Sequence, residues 1–69
     1  MDKINLKRND VVIVEWHDTF FPNNLNTTLG FVIELTHDQI ELAQTLDKNR
    51  NPENIINVLV EDINKLVKF

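Results

Sequence analysis

The run Val11-Val12-Ile13-Val14-Glu15-Trp16 constrains the fold of this chain more than any other feature. β-Branched and aromatic side chains lose rotamer freedom in a helix but pack well on a pleated surface, so this run is a strand. Alternation puts Val12, Val14 and Trp16 on one face and Val11, Ile13 and Glu15 on the other. Both faces are largely apolar. That is the pattern of a central strand, or of a strand whose second face is covered by a partner.

The next segment, His17 to Thr28, carries Pro22 and an Asn pair and reads as a loop. Phe20, Phe21 and Leu25 are unusual in a solvated connection. They either fold back on the core as a lid or form a sticky surface, and the lid is favoured because apolar loop residues commonly patch a small core. Gly30, the only glycine, precedes the alternating run Phe31–Leu35 and suggests a bulge or a close backbone approach. A polar tetrad, Thr36–Gln39, separates that run from Ile40–Leu46, which makes a β-hairpin with a four-residue loop. Before all of these, Met1–Asp10 is a polar lead-in with isolated Ile4 and Leu6 and room for a short edge strand.

Asp47–Glu53 is a second turn signal, and beyond it two readings stand. Ile55, Ile56, Leu59, Val60, Ile63, Leu66 and Val67 have helical spacing, with Asn51 as N-cap and Pro52 at the first helical position, so residues 52–68 could form a helix on a three-stranded sheet, an α+β fold. Alternatively, a strand at Ile55–Val60, a tight turn at Glu61-Asp62-Ile63 and a last strand at Asn64–Phe69 complete an all-β domain. Periodicity alone slightly prefers the helix.

Length and composition set the class. Sixty-nine residues make a single domain, 1–69, whose core must be thin. With no cysteine, disulfides and thiolate metal sites are ruled out, and self-association is the expected source of extra stability. A net charge of −4 opposes counterion-release binding to phosphate backbones, which makes nucleic acid an unlikely partner. No apolar stretch approaches the roughly 20 residues that span a bilayer, and the start lacks a signal-peptide core, so the expectation is a cytoplasmic protein with no membrane partner.

Catalytic motifs are missing at the level of atoms. The chain contains no Ser, Cys or Tyr, so a Ser or Cys triad cannot form, and one glycine cannot make a phosphate-cradling loop. The expectation is a non-enzyme without cofactor. Two His-Asp pairs, His17-Asp18 and His37-Asp38, raise the question of a divalent metal. They are far apart and lack the fixed spacing of a metal motif, and adjacent strand residues point to opposite faces. A strand-end Asp is more often a turn-former. Gln44 shares a face with Ile40, Leu42 and Leu46, and is either a satisfied half-buried amide, the commoner case, or the point where that face opens to a partner. Trp16, Phe20 and Phe21 could stack on a base, although core packing is the commoner role of such side chains. Trp16, His17, Asp18, Phe20, Phe21 and Gln44 are the candidate partner- or ligand-binding residues.

Several stretches together carry a resemblance: Val12-Ile13-Val14-Glu15-Trp16-His17-Asp18, Gly30–Asp38, Ile40–Leu46, and Asn57-Val58-Leu59-Val60 with Ile63 and Val67. In order and spacing they resemble a group of small phage and prophage proteins of unknown function. The similar sequences often have a proline where this chain has Glu61. The resemblance implies strand–turn–strand at the C-terminus and a small five-stranded SH3-like or Sm-like barrel, but no activity. The implied functions are a module binding a host or phage protein and forming a homo-oligomer, or a protein that sequesters a small nucleotide signal. An Sm-like RNA binder is a third option, which the acidic charge opposes.

Overall fold

The computed structural model describes residues 5–69. Five strands appear in chain order: β1 (Val11–His17), β2 (Leu25–Leu35), β3 (Gln39–Leu46), β4 (Pro52–Leu59) and β5 (Ile63–Lys68), with a single 3-10 turn at Val60–Asp62 between the last two. All pairings are antiparallel and the sheet order is β4-β3-β2-β1-β5. The all-β reading holds, and the C-terminal helix over 52–68 does not form. Its apolar spacing fits two strands equally well, and the strands pair the outer edges of β3 and β1, which a helix would leave bare.

The bend in the sheet is built into β2. Residues 25–31 of β2 pair with β1 and residues 31–35 pair with β3, so only Phe31 is shared, with a register shift between Val32 and Glu34. The strand therefore joins two three-stranded halves, β5-β1-β2 and β2-β3-β4. One apolar cluster fills the space between them: Val12, Val14, Val32, Ile40, Leu42 and Val58, with Leu6, Trp16, Leu35, Ile56, Ile63 and Leu66 packed around it. Val58 of β4 and Leu66 of β5 belong to strands at opposite ends of the sheet order. Their meeting in one core requires the sheet to curl into an SH3-like barrel.

Gly30 is the point of closest approach. A Cβ there would lie 3.0 Å from the Ala43 carbonyl oxygen and 3.2 Å from Leu42 Cβ, so the glycine lets β3 cross close over β2. Of the two alternatives read for Gly30, the close approach is the one the structure shows; the register shift in β2 lies farther along, between Val32 and Glu34.

Several boundaries differ from the sequence reading: β4 starts at Pro52, inside the segment read as turn, the tight turn lies at Val60–Asp62, and β5 starts at Ile63. β2 begins at Leu25, inside the segment read as loop, because Leu25–Phe31 pairs with the whole length of β1 despite its polar Asn26-Thr27-Thr28. The connection from β2 to β3 is three residues, Thr36–Asp38, with the Thr36 hydroxyl accepting from the Asp38 and Gln39 amides. In the lead-in, Ile4 lies outside the described residues. Residues 5–10 form no strand, although the Asn9 amide donates to Val32 and the Val32 amide to Asp10.

Candidate interaction surface

The Trp16-His17-Asp18 corner is occupied with holding the β1–β2 connection. Trp16 packs against the core, and its indole Nε1 donates to Thr28 Oγ1 at 3.0 Å, which satisfies both polar groups. His17 Nδ1 lies 3.0 Å from the Pro22 carbonyl oxygen. Asp18 Oδ1 accepts from the amides of Phe20 (2.8 Å) and Phe21 (3.1 Å), the turn-forming use of a strand-end Asp. Thr19 Oγ1 donates to Asp62 Oδ2 at 2.6 Å and ties the loop to the 3-10 turn.

This scaffold presents Phe20 and Phe21 to solvent, 87% and 65% exposed. The lid expectation is thereby overturned. Once Asp18 caps the turn and the Asn24 amide donates to the Phe21 carbonyl, the chain reverses before either ring can reach the core. The Gln44 expectation changes as well. Ile40 and Leu42 are fully buried, but Gln44 is exposed, so the core face opens there and the amide is solvated.

Nor do the sequence-selected residues form one site. Ala43, beside Gln44, pairs with Phe31, whereas Trp16 pairs with Asn26. Five residues along β2 separate those positions by about 17 Å. The second His-Asp pair is a surface contact, with His37 Nε2 and Asp38 Oδ1 3.2 Å apart and both side chains highly exposed. It borders an open hollow of about 480 Å³ with Leu59, Val60 and Glu61. Among the described residues, no three His, Asp or Glu side chains group as metal ligands, and no helix is long and apolar enough to cross a membrane.

The more extensive feature is the outer face of the sheet. Strand registers align Ile55, Ala43, Phe31 and Val11 in one row across β4, β3, β2 and β1, and the Phe69 amide donates to the Val11 carbonyl at its end. The next row is Leu29, Ile13 and Val67, and the one beyond it Thr27, Glu15 and Lys65. Leu29, Ile55, Val67 and Phe69 are 55%, 48%, 43% and 71% exposed. Ile13, Glu15, Thr27, Lys65, Val67 and Phe69 line a groove of about 330 Å³ on this face. The apolar second face of β1 was the sequence signal for it. Strand registers, which alternation does not provide, decide which residues stand beside Ile13.

No family model, curated protein or solved structure matches the chain.

Proposed function

We propose that this protein is a non-enzymatic binding module of the phage or prophage type, working by contact with a host or phage protein and with copies of itself. The observation that carries the reading is the placement of large apolar side chains in water: Phe20 and Phe21 on a turn fixed by Asp18, and Leu29, Ile55, Val67 and Phe69 on the outer sheet face. Isolated exposed apolar residues need no explanation, but contiguous ones mark contact surfaces. Self-association follows from the same logic, because a chain with seven fully or nearly fully buried apolar residues among those described has a small core and gains from covering more surface. Light scattering on size-exclusion fractions tests it: mass rises with concentration, and a monomer at every concentration removes self-association from the reading.

A nucleotide-sequestering role has one observation in its favour, the Phe69 ring and the Lys65 cation bordering one groove. Glu15 in the same groove opposes phosphate. A thermal-shift panel of nucleotides separates the readings, since a binder gains RT ln(1 + [L]/Kd) of stability and a non-binder gains none.

A further inference from the structure

We infer that two copies associate through the outer face of β1 and β5, related by a two-fold axis that runs along the strands between them. The inference rests on the self-association proposed above and specifies its geometry. Register pairs Ile13 with Val67 and Glu15 with Lys65, and Val11 bonds through its carbonyl to the Phe69 amide. Each rung of this ladder therefore holds two complementary side chains, one per strand. A two-fold axis parallel to the strands lays β1 of one copy over β5 of the other. Ile13 then meets the second copy's Val67, Val11 meets its Phe69, and Glu15 meets its Lys65, each contact occurring twice.

Charge supports a second copy as the occupant. Glu15 Oε1 accepts from Asn64 Nδ2 at 2.6 Å, and Lys65, its register partner, makes no ion pair among the described residues. The lysine thus remains available to a carboxylate from outside. A generic acidic partner would meet Glu15 and be repelled, whereas a rotated copy presents Lys65 to Glu15 and Glu15 to Lys65. Stacked sheets lie about 10 Å apart, a gap that a facing Glu and Lys bridge with their own lengths. Only β1 and β5 face their counterparts across this axis, a strip about 10 Å wide at ~4.8 Å per strand. Total burial therefore falls at the small end of specific interfaces, and the dimer is weak.

Sedimentation velocity from about 10 µM to about 1 mM decides the matter, with circular dichroism confirming that each variant is folded. Wild type shifts from monomer to dimer. Glu15→Lys and Lys65→Glu each place like charges opposite one another twice and weaken association roughly tenfold or more. The Glu15→Lys/Lys65→Glu double variant restores it. Val67→Ser, which alters an exposed position, weakens association without touching the charges. Association that ignores all four variants overturns this geometry and leaves self-association standing. Singles that weaken and a double that fails to restore overturn the crossed pairing. A wild type that stays monomeric to about 1 mM overturns both the inference and the self-association beneath it.

Discussion

Replacing Gly30 by alanine tests the account of how the barrel closes. Two effects compete. Alanine restricts the unfolded chain, which by itself stabilises by about 0.5–1 kcal/mol, and Gly30 has no positive φ to forfeit. Against this, the new Cβ would lie 3.0 Å from a carbonyl oxygen of β3 and 3.2 Å from Leu42 Cβ. Neither atom is the end of a flexible side chain. The oxygen belongs to a strand paired on both sides, with β2 and with β4, and Leu42 is fully buried. Overpacking of this kind costs typically 1–3 kcal/mol. The net expectation is destabilisation of about 1–2 kcal/mol, or about 5–15 °C in Tm for a domain of this size. Urea unfolding followed through the fluorescence of Trp16, the only tryptophan, measures it as a lower midpoint at unchanged m. A Gly30→Ala protein more stable than wild type would refute the close-approach account, because the entropic gain would then be unopposed.

Further perturbations probe other parts of the structure. Arg50 sits at φ 65° in the β3–β4 turn, a left-handed conformation that costs an L-residue about 1–2 kcal/mol, so Arg50→Gly raises stability by about 0.5–1 kcal/mol after the glycine entropy is subtracted; a lower urea midpoint contradicts this. Hydrogen bonds from the Lys7 amide to Asp10 and from the Asn51 amide to Asp47, opposed in each case by partial burial, hold both carboxyls below their ordinary value of 3.8. A depressed folded pKa gives stability that is complete above the unfolded value and lost as pH falls through the folded one, so urea midpoints decline below about pH 4, and Asp47→Asn flattens part of that decline. A Phe20→Ser/Phe21→Ser variant, altering exposed positions, keeps its unfolding free energy within about 0.5 kcal/mol of wild type; a large loss of stability would mean that the rings pack after all.

Where a segment's role follows from its own chemistry, the sequence was enough. β-Branched density at Val11–Trp16, alternation in Phe31–Leu35 and Ile40–Leu46, and the turn chemistry at the start of Asp47–Glu53 each have a local cause, and strands and a turn appear there, although Pro52 and Glu53 at the end of that turn signal are already in β4. Residues Leu25–Gly30 lack such a cause. Asn26, Thr27 and Thr28 resemble a loop, and they become strand because β1 offers a partner and because Trp16 needs the Thr28 hydroxyl. Gln44 misleads for a related reason: alternation assigns a face but not how far the core extends along it, and here the core stops at Leu42.

The two exposed apolar regions differ in what holds them, and that difference bears on their roles. Phe20 and Phe21 ride on a turn stabilised by side-chain hydrogen bonds to solvent-accessible groups, bonds that stabilise modestly and open easily. Such a turn can adapt to the shape of a foreign protein. Val11, Ile13, Val67 and Phe69 stand on or beside strands whose opposite faces, at Val12, Val14 and Leu66, build the core. Their spacing is as rigid as the barrel itself, and a rigid array suits a surface that must match its own rotated copy. The same β1 thus organises both regions, carrying the fixed face along its length and ending in the Asp18 turn that projects the two phenylalanines. Pairing through the fixed face would leave the turn of each copy uncovered, so that a dimer presents two such turns and gains avidity for a partner with repeated sites.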